Sequence, residues 1–283
     1  MFGLCLQYAD NKDDAADILQ EGFIKVFRKL EQFGGKGSFE GWIRRIMINT
    51  ALERYRSQVR LYPLTDNTVK KDEMVNEDVL ALVNKGLMLP LMEEFYTIQG
   101  EGYHKGTAAY FIRVGGCDVG CHWCDVKESW NAETHPPTAI ESIVHNAARF
   151  SDTIVVTGGE PLMWDMGPLT EALKNKGLNT HIETSGAYPL SGNWDWICLS
   201  PKKNKLPVDP IYDQAHELKV IVYNRNDLVF AEEQAKKVGK SCILYLQPEW
   251  SVRDKVTPVI VDYVMKNPKW KVSLQTHKYL NIP

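Results

Sequence analysis

Three cysteines stand close together near the middle of the chain, and they carry its most distinctive chemistry. Cys117, Cys121 and Cys124 have the spacing C-x3-C-x2-C. Thiolates are soft ligands that suit iron–sulfur clusters, zinc and copper(I). A four-iron cluster ordinarily takes four cysteines, so three on one loop leave one iron for a ligand that is not protein. The spacing therefore predicts a cluster with these three cysteines as its ligands and catalytic centre.

Two other uses of these cysteines stay open at this point. A structural zinc site takes four ligands, and His122 is available as a fourth, although it lies between two of the cysteines, tighter than zinc-finger spacing. A disulfide is disfavoured because residues 1–10 do not resemble a secretory signal. We therefore expect a reducing, cytoplasmic compartment.

The overall composition narrows the class of protein. The chain has 283 residues, enough for one large domain or two smaller ones. Its hydrophobic content of 44% and charged content of 24% are ordinary for a soluble globular protein. A net charge of −3 excludes a globally basic nucleic-acid binder. A membrane span needs about 18 consecutive apolar residues, and the sequence has no such stretch.

Residues 1–60 predict a small all-α segment. Residues 13–30 have apolar side chains at helical spacing, and Gly34, Gly35 and Gly37 end the pattern. A second helix is predicted over residues 38–59, with Ser38 as its N-cap. Its arginines would suit phosphates and its aromatic residues would suit stacking on bases. An ordinary solvated charged face explains the same residues.

The two helical stretches of this segment are D-D-A-A-D-I-L-Q-E-G-F-I-K-V-F-R-K-L and F-E-G-W-I-R-R-I-M-I-N-T-A-L. Together they resemble region 2 of extracytoplasmic-function sigma factors. The resemblance implies that the first helix docks on RNA polymerase and that the second helps to open and read promoter DNA. The opening helix of region 2 is clipped here, and no region 4 helix-turn-helix follows. A relic, a gene fusion or a reading-frame artefact would also explain the segment.

A linker is expected over residues 61–87, because the composition shifts and the apolar period is lost. Residues 88–283 then alternate strand-like and helical patterns, which predicts an α/β domain with a parallel sheet. The expected strands are residues 108–114, 153–157, 179–183, 196–199, 218–222, 243–246 and 271–274. The expected helices are residues 138–150, 167–175, 227–238 and 258–266.

Polar groups and turns follow the ends of successive predicted strands, which is where parallel α/β folds build their sites. The cysteine motif followed by G-G-E-P at residues 158–161 resembles the radical S-adenosylmethionine (radical SAM) superfamily. The resemblance implies a partial, open β/α barrel, a 4Fe-4S cluster and S-adenosyl-L-methionine on its open iron. The cofactor-binding residues it implies are Gly158, Gly159, Glu160, Glu183, Ser185, Ser200, Lys202 and Gln247.

Two end segments are more specific. F-Y-T-I-Q-G-E-G at residues 95–102 and Q-T-H-K at residues 275–278 resemble the 7-carboxy-7-deazaguanine synthase family of the queuosine pathway. That family converts 6-carboxy-5,6,7,8-tetrahydropterin to 7-carboxy-7-deazaguanine with loss of ammonia. The substrate residues implied are Gln99, Glu101, Arg113, Thr157, His277 and Pro283. Arg113 and His277 suit a carboxylate, while Gln99 and Glu101 suit the donor–acceptor edge of a pterin.

The same resemblance implies a homodimer, an electron donor such as flavodoxin, and Mg²⁺. The family often has Cys-Asp-Thr after the last cysteine, whereas this chain has Cys124, Asp125 and Val126. Valine cannot ligate a cation that prefers oxygen. Mg²⁺ is therefore expected to bind through Asp125, water and substrate, or to have a weaker role.

Two rival functions remain. A glycyl-radical activating enzyme shares the cysteine spacing and the G-G-E-P turn, but it would not predict the two end segments. A transcription factor acting through residues 1–60 belongs to a different class, and the missing region 4 speaks against it.

Overall fold

The computed structural model describes residues 1–5, 12–30, 33, 39, 42–44, 46–47, 50 and 74–283. The chain divides into two compact units, Met1–Lys70 and Lys71–Pro283. The domain bounds expected from the sequence, at residues 60 and 88, stay a prediction.

The first unit is helical over its described residues. Helix α1 is Phe2–Cys5 and helix α2 is Lys12–Lys29, which agrees with the helix predicted at residues 13–30. Cys5, Ala15 and Ile18 form a small buried cluster. Ile24, Phe27 and Leu30 are exposed, Phe27 to 73%. The second predicted helix, residues 38–59, lies largely outside the described residues.

The second unit begins with helix α3 and continues as alternating strands and helices. The helices are α3 Met74–Asn84, α4 Ile140–Ala147, α5 Gly167–Asn175, α6 Asn226–Ala235, α7 Arg253–Lys266 and α8 Thr276–Leu280. The strands are β1 Met88–Ile98, β2 Ala108–Val114, β3 Pro137–Ala139, β4 Thr153–Gly158, β5 Asn179–Thr184, β6 Trp196–Leu199, β7 Glu217–Val222, β8 Ile243–Pro248 and β9 Trp270–Val272. Short 3₁₀ turns occupy Lys127–Ser129, Ala132–Thr134, Pro161–Met163, Asp209–Ile211 and Trp250–Val252.

The nine strands form one sheet in the order β3-β1-β2-β4-β5-β6-β7-β8-β9. The pairs from β2 to β9 are parallel, while β1 is antiparallel to both β2 and β3. Over the described residues the sheet does not close, because β3 and β9 are its two edges. The predicted open, partial β/α barrel is therefore confirmed.

The two faces of the sheet have different chemistry because side chains alternate along each strand. On β7, Leu218, Val220 and Val222 belong to the large core that the sheet forms with its helices. Glu217 and Lys219 alternate with them and so point to the inner face. Burying a large apolar side chain stabilises the fold by about 1.5–3 kcal/mol. The helix-covered face thus holds the sheet together and leaves the inner face free for polar groups.

Among the described residues, none of the helices has both the length and the apolar character needed to cross a membrane.

Candidate active site

A cavity of about 260 Å³ lies at the carboxyl ends of the parallel strands. Every site residue predicted from the sequence lines it. These are Gln99, Glu101, Arg113, Cys117, Cys121, Cys124, Asp125, Thr157, Gly158, Gly159, Glu160, Glu183, Ser185, Ser200, Lys202, Gln247, His277 and Pro283. Their individual roles stay predictions, but strands far apart in the sequence bring them to one place.

The base of the cysteine loop is fixed by backbone hydrogen bonds. The amide of Gly116 donates to the Ser129 carbonyl at 2.7 Å, and the amide of Cys117 donates to the Trp130 carbonyl at 3.1 Å. The Trp164 indole N–H donates to the Gly115 carbonyl at 2.9 Å. These bonds hold the first cysteine against the body of the barrel.

The three thiols of the cysteine loop line the same cavity. Within the described part of the chain, no group of three His, Cys, Asp or Glu side chains has the geometry to hold one ion. Burial raises the pKa of Cys117 and of Cys121, and the nearby positive charge of Lys202 only partly offsets this for Cys121. Bound iron would add positive charge that favours the thiolates.

The G-G-E-P turn is packed against the start of the cysteine loop. The amide of Gly159 donates to the Val114 carbonyl and that of Glu160 donates to the Gly116 carbonyl, both at 2.8 Å. Gly158 has a φ of +123°, and a side chain there would collide with the backbone of Val114. Glycine is the residue that tolerates both conditions, so this turn fixes the end of β4 relative to Cys117.

The carboxylate of Glu160 is 1% exposed and is occupied by groups of its own chain. Its Oε1 accepts from the Leu162 amide at 3.0 Å and from the Thr184 hydroxyl at 2.5 Å. Its Oε2 accepts from the amide and the hydroxyl of Ser185. The side chain therefore joins the turns after β4 and β5 and is engaged within the chain rather than presented to a ligand.

A ring of polar side chains fills the centre of the inner face. Lys219 Nζ donates to Glu101 Oε2 at 2.5 Å and to Glu183 Oε2 at 2.8 Å. Gln99 closes the ring, because its Nε2 donates to Glu183 Oε1 at 2.8 Å and its Oε1 accepts from the Glu101 amide at 3.0 Å. Four residues from three separate parts of the chain are thus held at fixed positions.

The charges in this ring are strongly coupled. Burial acts to raise the pKa of Glu101, but Lys219, His277 and the Gln275 amide outweigh it and hold that pKa at about 2. Burial acts to lower the pKa of Lys219, yet the surrounding acidic groups keep it well above its usual value. Both groups are charged at neutral pH.

Helix α8 connects this ring to the cysteine loop. The Thr276 amide and hydroxyl donate to the Gly100 carbonyl at 2.9 and 2.8 Å. Gln275 Nε2 donates to Glu101 Oε1 at 2.8 Å. Lys278 Nζ donates to Asp125 Oδ2 at 2.6 Å and to Gln275 Oε1 at 3.1 Å. Because of these contacts, the C-terminal residues form part of the cavity wall.

The predicted carboxylate-binding residues lie on the same wall. Arg113 pairs with Glu93 at 2.6 Å, and its guanidinium lies 5.2 Å from the centre of the Phe95 ring. A guanidinium has five N–H donors, so this pairing leaves donors for a ligand. Burial lowers the pKa of His277, which favours a neutral imidazole.

Comparison with known proteins follows the same division into two units. The Radical SAM superfamily model matches residues 111–198, and the Sigma-70 region 2 model matches residues 1–61. A 7-carboxy-7-deazaguanine synthase from Flavobacterium psychrophilum is 70% identical over 210 residues, which are 74% of this chain and 100% of that relative. The chain belongs to the 7-carboxy-7-deazaguanine synthase family. The Escherichia coli 7-carboxy-7-deazaguanine synthase is 33% identical and covers 69% of this chain and 100% of its own length.

A solved structure agrees with the family. The crystal structure of QueE from Escherichia coli superposes with a TM-score of 0.62 at 28% identity, covering 70% of this chain and 98% of that one. As a radical SAM family, the 7-carboxy-7-deazaguanine synthases imply a 4Fe-4S cluster and S-adenosylmethionine, which the three thiols of this chain fit. Family membership removes the glycyl-radical activating enzyme as a rival, and the resemblance of residues 1–60 to sigma region 2 is confirmed as a match.

The Mg²⁺ expected from the family does not match the oxygen donors at this place. Asp125 already pairs with Lys278, and Val126 has no side-chain oxygen. Mg²⁺ requires an octahedral set of oxygens, so most ligands would have to come from water and substrate. Mg²⁺ binding stays a prediction.

Sequence reasoning missed several residues that line the cavity. Lys219, Gln275, Lys278, Trp123 and Trp250 all belong to its wall. The signal for Lys219 was present, because a lysine in the middle of the apolar run E-L-K-V-I-V needs a buried partner. Gln275 and Lys278 belong to the Q-T-H-K motif, for which the sequence predicts a substrate contact only at His277.

Proposed function

We propose that residues 88–283 convert 6-carboxy-5,6,7,8-tetrahydropterin to 7-carboxy-7-deazaguanine with loss of ammonia, as part of queuosine or other 7-deazapurine biosynthesis. The observation that carries the proposal is one cavity lined both by three cysteine thiols and by the ring of Gln99, Glu101, Glu183 and Lys219. This arrangement brings thiols suited to a cluster and polar groups suited to a hydrogen-bonding heterocycle into one cavity.

The chemistry that a bound cluster and S-adenosylmethionine would supply is a 5′-deoxyadenosyl radical able to take a hydrogen atom from C6 of the substrate. Cys117, Cys121 and Cys124 would hold the cluster. The backbone of the 158–160 turn, with Ser185 and Ser200, would bind the S-adenosylmethionine, since all of these residues line the same cavity. Lys202 donates to both the carbonyl and the hydroxyl of Ser200 at 2.6 Å, so it fixes the orientation of that hydroxyl.

The remaining polar groups orient the substrate. Gln99 and Glu101 take the edge of the pterin ring that carries both donors and acceptors. Arg113 and His277 hold the carboxylate through charge-assisted and neutral hydrogen bonds. Thr157 and the C-terminal Pro283 complete the wall around the substrate.

We further propose that the enzyme works in the cytoplasm as a homodimer and takes electrons from a donor such as flavodoxin. The expectation of Mg²⁺ is retained only in its weaker form, as an ion that is not required. Lys278 on Asp125 supports this form, since it already places a positive charge beside the cysteine loop.

The deciding experiment is anaerobic turnover of the reconstituted full-length chain with S-adenosylmethionine, a reductant and the carboxy-tetrahydropterin. The expected result is a 7-deazaguanine carboxylate product identified by mass spectrometry. Cys121→Ala is the control and should make no product. An intact cluster that cleaves S-adenosylmethionine yet leaves the pterin unchanged would contradict the proposal.

A second candidate function concerns residues 1–61, which match Sigma-70 region 2. Ile24, Phe27 and Leu30 of the first unit are exposed apolar side chains, and such groups suit contact with another protein. We propose that residues 1–61 bind core RNA polymerase and contact promoter DNA. Co-elution of the full-length chain with core polymerase tests it, with Phe27→Asp as the variant that should abolish co-elution.

A further inference from the structure

Lys219 is the one cation in the polar ring that it forms with Gln99, Glu101 and Glu183. Its neighbours along β7, Leu218 and Val220, face the apolar core, so Lys219 faces the inner side of the barrel. Its side chain is 3% exposed, and Nζ lies 2.5 Å from Glu101 Oε2 and 2.8 Å from Glu183 Oε2. A cation buried this deeply is stable only when paired and hydrogen-bonded.

Other charged groups approach the ring from every neighbouring element. Cys198 comes from β6 and Glu217 from β7, and both act on Lys219 electrostatically. Lys202, after β6, repels Lys219, and His277 on α8 acts on both Glu101 and Glu183. The carboxylate of Glu217 accepts a hydrogen bond from the Tyr103 amide at 2.8 Å. Glu217 is therefore bound to the loop after β1 rather than presented to a ligand.

We propose that Lys219 is a positioning residue that holds the carboxylates of Glu101 and Glu183 at fixed places and balances their charge, so that both accept hydrogen bonds from N–H groups of the bound pterin. This inference rests on the proposed function. Lys219 itself donates its hydrogen bonds to the two carboxylates and acts on the substrate only through them.

The physical reason is the difference between the two forms of a carboxyl group. An ionised carboxylate only accepts hydrogen bonds, whereas a protonated one also donates. Two half-buried carboxylates without a cation between them disfavour each other's charge, which favours protonation of one of them. A protonated member would then present an O–H group to the N–H edge of the ligand and repel it.

Lys219→Met tests this positioning role. We expect kcat/KM at pH 6.5 to fall at least a hundredfold, mainly through KM, and to recover as the pH rises toward 9. The wild-type enzyme should show no such rise, because Lys219 pairs with both carboxylates and helps to hold the pKa of Glu101 at about 2. A purely structural role would lower activity equally at every pH.

The matched control is Lys271→Met, which makes the same change at an exposed lysine on β9 and should leave the pH profile unchanged. Iron content and formation of 5′-deoxyadenosine without pterin check that the cluster end is intact. Lys219→Arg keeps a buried positive charge and should keep a flat pH profile, even if KM rises because of its larger side chain.

Binding of 6-carboxypterin, a fluorescent pterin carboxylate, gives a readout that does not need turnover. Its affinity for Lys219→Met should improve as the pH rises, while that of the wild type should not. The inference is overturned if neither kcat/KM nor 6-carboxypterin affinity of Lys219→Met changes with pH. It is also overturned if Lys219→Arg shows the same pH dependence as Lys219→Met. Wild-type protein that binds 6-carboxypterin without turning over the tetrahydropterin would sink the proposed reaction alone, and the binding comparison would still decide the role of Lys219.

Discussion

Gly100 shows how single residues shape the site. A side chain at this position would collide with the ring of His277, with Nδ1 the closest atom. The carbonyl of Gly100 meanwhile accepts two hydrogen bonds from Thr276. Glycine thus lets helix α8 approach the loop after β1 closely enough for His277 to line the cavity.

Gly100→Ala should therefore displace the imidazole of His277. We expect KM for the pterin to rise about tenfold, equivalent to about 1.4 kcal/mol, with a smaller effect on kcat. Steady-state kinetics of the reconstituted enzyme measure it. Gly239→Ala is the control, because an added methyl group there meets no atom within 4 Å. An unchanged KM for Gly100→Ala would mean that His277 does not contact the substrate.

At the scale of elements, the parallel strands were readable from the sequence and the first strand was not. β2 and β6 have the predicted bounds, since each is a short apolar run between turns. β1, Met88–Ile98, was missed, because a bulge between Leu91 and Glu93 shifts its alternation and Glu94 is buried. Asn146 on α4 donates to Glu94 at 2.6 Å, a partner that the sequence pattern does not reveal.

The same limit applies to the site. The groups after the strand ends were found because a parallel sheet must gather them at one edge. The contacts of Lys219 with Glu101 and Glu183 span 118 and 36 positions in the chain. Pairings at such separations follow from the barrel as a whole, so local patterns did not predict which groups neutralise each other.

The contact between α8 and the cysteine loop leads to a prediction about metal dependence. Because Lys278 pairs with Asp125 and Val126 has no side-chain oxygen, removing Mg²⁺ with a chelator should leave kcat within about twofold. The double variant Val126→Thr with Lys278→Met adds a hydroxyl and frees the carboxylate, so its turnover should increase when Mg²⁺ is added. Wild-type turnover that stops in the chelator would show that Asp125 binds Mg²⁺ despite Lys278.

At the scale of the whole molecule, a histidine cluster makes stability depend on pH. Burial, and then the neighbouring His104, lower the pKa of His181 to about 4 from 6.5. The unfolded chain therefore binds a proton more readily, so this contribution is complete above pH 6.5 and is lost as the pH falls toward 4. The loss should reach about 1.4 kcal/mol at pH 5.5 and about 3 kcal/mol at pH 4.

Urea unfolding of the reconstituted protein at pH 7.5 and 5.5 measures this loss. His181→Phe removes the titrating group and keeps a ring beside His104, so the difference between the two pH values should shrink by about 1.4 kcal/mol. His145→Phe is the control, because His145 is exposed on α4. An undiminished difference in His181→Phe would place the acid sensitivity in other groups.

The division into two units makes a final prediction about activity. The Flavobacterium psychrophilum relative is covered over 100% of its length by 74% of this chain, so the family fold is complete without a segment like the first unit. The second compact unit begins at Lys71 and includes helix α3, Met74–Asn84. A protein that starts at Lys71 should therefore keep kcat/KM within about twofold of the full-length value, a change of less than about 0.5 kcal/mol in the barrier.

Cys121→Ala in both lengths provides the background rate. A tenfold gain on truncation would show that residues 1–70 obstruct the cavity or its partner surface, and a tenfold loss would show that they support it. Equal activity would leave polymerase binding as the function to test for the first unit.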